Sequence, residues 1–196
     1  MRLFVFARHA QTVLNLEHRV NGDPALDVPL TEQGVEEARR LGLQVAQVPI
    51  AVGVHTRFPR TRRTLEIALE GRDVPLVEEP LLDDIYIGDL EGKTVDDYRD
   101  WKAEHTRADR FPGGESLDEA ALRYAAGYRR LLELDADSAL VLCHEIPIRY
   151  AINAAAGSDD VDGPVHALPN ATPFLFDETA LERAAERVEK LTATLR

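Results

Sequence analysis
The chain has 196 residues, a formal net charge of -12 at pH 7, 44% apolar residues and one cysteine. That length suits one domain with a full hydrophobic core, expected here over residues 1–196. The excess of carboxylates argues against nucleic acid or an anionic membrane as the main partner, because both are held by surplus Lys and Arg. With only Cys143 no internal disulfide can form, and the apolar N-terminal run meets Arg8 too soon for a signal peptide, so a cytoplasmic protein is expected.

Residues 3–7 form a continuous apolar run ended by a polar cluster, the pattern of a buried strand. Residues 51–55 and 139–143 read the same way, and residues 74–77 and 173–176 are weaker strand candidates. Helices are expected from Glu32 to about Val48 behind the N-cap Thr31, from Arg60 to Leu69, and from Ser116 through about Leu134. Two more are expected from Ile146 to about Ala156 and from Glu178 to Leu195. Strands alternating with helices predict an α/β fold, a three-layer α/β/α sandwich around a mostly parallel sheet. The stretch 80–116, rich in Asp, Gly and Pro, reads as irregular loop over a site.

Arg8 and His9 directly follow the first apolar strand, and His144 directly follows another. In open α/β sheets ligands bind beyond the carboxyl ends of the strands, so histidines placed there are more informative than histidines elsewhere. Arg57, Arg60, Arg62 and Arg63 crowd a strand-to-helix junction in an otherwise acidic chain, which reads as an anion site. Arg57, Arg62 and Arg63 have the simpler reading of solvated helix charges.

Arg8-His9-Ala10-Gln11-Thr12, with Asn15 after it, resembles the Arg-His-Gly-(Glu/Gln)-Thr opening of the histidine phosphatase superfamily, the phosphoglycerate mutase-like proteins. Five further pieces follow in the family's order. They are Gly22 with residues 27–31, Thr56 to Thr64, residues 82–88 with Glu91-Gly92, the Pro-Gly-Gly-Glu-Ser of 112–116, and His144 after its strand. The resemblance implies a phosphoglycerate mutase-like fold and a phosphohistidine formed on His9. It also implies phosphate ligation by Arg8, Arg60 and His144 with Asn15 assisting, and proton donation by Asp84. Gln11, Gly22, Glu145 and Gly114 are further candidates for contact with substrate. No metal or cofactor is required, because phosphoryl transfer rests on positioning and charge stabilisation. The expected ligand is a small phosphorylated metabolite, and the oligomeric state is left open, a homodimer included.

Three departures from the family pattern fall at the site. Ala10 stands for Gly, which fits only a backbone that is not left-handed. Glu145 follows His144 where Gly is usual, and a carboxylate there repels phosphate unless it turns away or meets a cation. Asp84 stands for Glu as the acid and needs desolvation to hold a proton near neutrality, with Asp83, Glu91 and Glu145 as the other candidates. The shortness of the chain between the acid-bearing loop and His144 resembles the phosphatase branch, with a mutase or a catalytically impaired phospho-ligand binder as alternatives. A zinc-protease reading of His144-Glu145 fails because Ile148 stands where a second His would be. Cys143 reads as a small buried hydrophobe.

Overall fold
The computed structural model describes residues 2–193. Five strands form one sheet: β1 (Leu3–Arg8), β2 (Val52–His55), β3 (Leu76–Glu78), β4 (Ser138–Cys143) and β5 (Pro173–Asp177), in the spatial order β3-β2-β4-β1-β5. β1, β2, β3 and β4 run parallel, and β5 pairs antiparallel with β1 at one edge.

Side chains alternate across this sheet with period two and feed two separate cores. Phe4, Phe6, Val141 and Cys143 enter one, packed under α5 (Leu117–Leu132), α6 (Glu145–Ala155) and α7 (Glu178–Ala193). Val5, Ala7, Leu140 and Leu142 enter the other, under α2 (Glu32–Gln44) and α3 (Pro59–Ala68). Burial on both faces is why the central strands read as unbroken apolar runs. The two cores give the three-layer α/β/α sandwich. Cys143 is fully buried, and its thiol is pushed up to a value far above the ordinary one by desolvation.

The remaining α-helices among the described residues are a single turn, α1 (Val13–Leu16), and α4 (Val95–Glu104). The latter corrects the reading of 80–116 as irregular. Thr94 and Asp97 form a reciprocal capping box at its start, Asp96 and Asp97 face the positive end of its dipole, and Lys102 lies in its last turn. α2 stops at Gln44, four residues before the expected Val48, and β3 covers Leu76–Glu78 rather than 74–77. The expected end of the last helix at Leu195 lies outside the described residues. Among the described residues no helix is long and apolar enough to cross a membrane.

Candidate active site
The registers of the sheet bring the polar residues to one level. Arg8 is opposite Cys143 and His55 is opposite Leu142, so His9, Thr56 and His144 all emerge just beyond the carboxyl ends of adjacent parallel strands. The rings of His9 and His144 stand with centroids 5.5 Å apart.

The backbone around His9 is held from three sides. Its N–H donates to the Cys143 carbonyl at 3.0 Å, and its own carbonyl accepts from Asn170 Nδ2 at 2.7 Å. The Ala10 N–H donates to Thr64 Oγ1 on α3 at 3.0 Å. Ala171, in the left-handed region at φ 46°, donates its N–H to the Arg8 carbonyl at 2.9 Å. Ala10 itself is fully buried and is not among the positive-φ residues, so its methyl group meets the condition set for replacing glycine.

His9 Nδ1 lies 2.8 Å from the Ala10 carbonyl, an acceptor only, so Nδ1 carries the hydrogen and the lone pair is on Nε2. Burial, then the charges of Arg60 and Arg8, hold its pKa well below the ordinary 6.5. The ring is therefore neutral and its Nε2 lone pair is free at physiological pH.

Arg60, at the second position of α3, is buried and meets the site from below. It donates to both the side-chain and backbone oxygens of Asn21, to Asp84 Oδ2 at 3.2 Å, and to His144 Nδ1 at 3.2 Å. Its guanidinium also stacks over Phe58, 4.2 Å from the ring centroid. Burial brings its pKa down to about 10, which leaves it positively charged. His144 Nε2 lies 3.0 Å from Thr56 Oγ1, which in turn lies 3.0 Å from Thr61 Oγ1. A hydroxyl can accept from Nε2 or donate to it. His144 can therefore present at Nδ1 either a lone pair, as to Arg60, or the N–H that a phosphoryl oxygen needs. Burial first, then Arg60, holds its pKa well below 6.5.

Four carboxylates were candidates for the acid. Asp83 is bound by the backbone and side chain of Arg57, and Glu91 by Asn21 and Gly22. Glu145 accepts from Arg8 at 2.7 Å and pairs with Arg149 at 3.5 Å, one oxygen to each. Asp84 alone combines a place in the cavity beside His9 with a raised pKa. Burial raises it against the opposing charges of Arg60 and Arg8 and the Ile85 N–H. Its Oδ2 is 3.4 Å from His144 Nδ1.

A cavity of about 210 Å³ opens over these groups and is lined by Arg8, His9, Asn15, Gly22, Arg60, Asp84 and Glu145. Fully buried His144 backs it through Arg60 and Asp84. Gln11 and Gly114 lie outside it. The Gln11 side chain accepts from Thr31 Oγ1 at 2.8 Å, and Gly114 borders a neighbouring hollow with Asp83 and Arg123. A Cβ on Gly114 would sit 2.3 Å from the Tyr86 carbonyl, which accounts for glycine there by close backbone approach. Asn21, Thr56, Lys102 and Arg149 are at or behind this site without having been singled out from the sequence. The Asn-Gly pair at 21–22 and the place of Thr56 at the head of the arginine segment were the available signals.

The chain matches the family model of the histidine phosphatase superfamily (branch 1) over residues 4–190. It belongs to that superfamily. A phosphoglycerate mutase described as 2,3-bisphosphoglycerate-dependent, from Gloeobacter violaceus, is 39% identical over 63% of this chain, in an alignment that spans 60% of the mutase. A probable phosphoglycerate mutase GpmB from Photorhabdus laumondii is 30% identical over 82% of this chain and 75% of its own length. Among solved structures, a putative alpha-ribazole-5'-P phosphatase from Escherichia coli has the same fold, with TM-score 0.77 at 23% identity, covering 90% of this chain and 91% of its own. A phosphoglycerate mutase from Thermus thermophilus is similar with TM-score 0.68 at 28% identity, covering 90% and 93%. Phosphatase and mutase names thus both occur among the relatives of this superfamily member.

Proposed function
We propose that the protein is a metal-independent phosphatase that hydrolyses a small phosphomonoester through a phosphohistidine on His9. The observation that carries this reading is the fixed tautomer of His9, whose Nε2 lone pair faces an arginine-lined cavity. Nε2 attacks phosphorus in line, the bond from phosphorus to the ester oxygen breaks, and protonated Asp84 gives its proton to that oxygen. Arg8, Arg60, Asn15 and His144 hold the remaining phosphoryl oxygens as their charge is redistributed. In the second half, Asp84 as carboxylate takes a proton from water. The water oxygen bonds to phosphorus, the P–N bond breaks and phosphate leaves. A lone cysteine kept as a buried thiol suits a reducing, cytoplasmic setting.

A mutase reading draws on the names of the relatives, since the same phosphohistidine can return its phosphoryl group to a second hydroxyl of the substrate. Free-phosphate release from a panel of phosphomonoesters, run with and without chelator beside a coupled mutase assay, separates the two. Phosphate release unaffected by chelator and exceeding isomerisation is the expected result. Isomerisation without phosphate release would replace the phosphatase reading.

A further inference from the structure
The cavity contains more than a phosphate site. Five cations line it, Arg8, Arg19, Arg60, Lys102 and Arg149, and four of them already have acceptors. Arg8 is bound by Glu145 and the Leu168 carbonyl, and Arg60 by Asn21 and Asp84. Arg149 is bound by Asp162 and the His166 carbonyl, and Arg19 by the Gly92 carbonyl. Lys102 has neither a hydrogen bond nor an ion pair among the described residues. Its ammonium stands 5.7 Å from the centroid of the Tyr98 ring.

Lys102 is also half-buried rather than in open solvent, and burial pushes its ammonium down from the ordinary lysine value, against the opposing pull of Asp162. A half-buried ammonium without an acceptor is unfavourable by itself and is relieved by an anion. Its position along α4 explains where it sits. Val95, Tyr98 and Lys102 are spaced i, i+3 and i+7, so they share the helix face that lines the cavity. Stacking of Tyr98 on Phe111, with centroids 5.5 Å apart and planes 15° apart, fixes that face against the body of the protein. Leu14, Val20, Ile87, Leu117 and Ile146 add apolar side chains to the lining of the same cavity.

We propose that the organic part of the substrate is an apolar body bearing a second acidic group, a carboxylate, which Lys102 binds while the phosphoryl group sits at His9. A carboxylate matches Lys102 better than a second phosphate, because one compact ammonium neutralises one charge whereas a phosphate dianion calls for more than one cation. Pairing within the cavity disfavours a cationic substrate, since both oxygens of Glu145 are taken by Arg8 and Arg149. This inference deepens the phosphatase reading and rests on it for the orientation of the ligand.

The test uses equilibrium binding of phosphonates that cannot turn over. Phenylphosphonate is compared by calorimetry with phenylphosphonates carrying a carboxylate at the 3- or 4-position, attached directly or through an ethylene spacer. The wild-type protein should bind the best carboxylated probe at least about tenfold more tightly than phenylphosphonate, about 1.4 kcal/mol. In Lys102→Met that ratio should fall to about one, in Lys102→Arg it should persist, and in Lys102→Glu it should drop below one. Equal binding of all probes by the wild type, or an unchanged ratio in Lys102→Met, would overturn the proposal. No turnover is involved, so a protein that binds with this preference yet hydrolyses no ester would refute the phosphatase reading alone.

Discussion
Arg8 donates through Nη1 to Glu145 Oε2 at 2.7 Å, which joins the residue before His9 to the residue after His144. The carboxylate expected to repel phosphate thus neutralises one of the arginines proposed to attract it. Replacing it with an uncharged residue should strengthen anion binding. Glu145→Gln is predicted to lower the inhibition constant of inorganic phosphate roughly tenfold, about 1.4 kcal/mol, within what one charge exerts at short range near a protein surface. Competitive inhibition measured at fixed ionic strength checks this, and an unchanged or raised constant would show that Glu145 does not act through Arg8.

Asp84 is the acid in this account, so its removal should matter in proportion to how much help the leaving oxygen needs. Asp84→Asn should slow the phosphorylation half-reaction, read as the single-turnover release of the leaving group, by about 10²–10⁴-fold for alkyl phosphates and leave it nearly unaffected for 4-nitrophenyl phosphate, whose leaving group needs no proton. The raised pKa of Asp84 is expected to set the alkaline side of the pH profile, where proton loss removes the acid, and protonation of His9, held well below 6.5, is expected to set the acid side. The alkaline decline should disappear in Asp84→Asn. Equal losses with both leaving groups would move the acid role to another group.

The buried histidines also couple stability to pH. Their folded-state pKa values lie below the ordinary 6.5, so the unfolded chain binds protons first as the pH falls. Their contribution is complete above about 6.5 and is lost as the pH drops through their folded values. Asp84, shifted upward, acts in the opposite direction. Urea-denaturation midpoints between pH 7 and pH 5 should therefore fall less in His144→Gln than in the wild type. Identical slopes would contradict neutral burial of His144.

Gly22 lies where the chain passes the acid-bearing loop. A Cβ there would stand 2.3 Å from the Ile85 carbonyl, and Ile85 directly follows Asp84. Gly22→Ala should cost about 1–3 kcal/mol through overpacking, a Tm loss of about 2–4 °C per kcal/mol in a chain of this size. It should also reduce kcat by displacing Asp84. Wild-type kcat with wild-type Tm would show that the loop yields without consequence.

What the sequence made legible follows from how each element is buried. β1 and β4 are covered on both faces and appear as apolar runs, and His9 and His144 stand out because they end those runs. α4 was hidden because six of its ten residues are charged, so its inward face of Val95, Tyr98 and Lys102 has little periodic signal. Asn21 reaches Arg60 from a loop 39 residues away in sequence, with only the Asn-Gly pair to mark it, whereas Arg149 pairs with Glu145 one turn along α6, at the i, i+4 spacing that a helix brings together. The role of Glu145 was equally illegible, since its partner Arg8 is 137 residues away.

The central claim is that His9 Nε2 takes the phosphoryl group, and rapid-quench trapping with a ³²P-labelled phosphomonoester tests it most directly. The account predicts a phosphoenzyme that survives alkali, is lost in acid, maps to His9 and is absent from His9→Ala. An acid-stable phosphoenzyme, or turnover retained in His9→Ala, would contradict it.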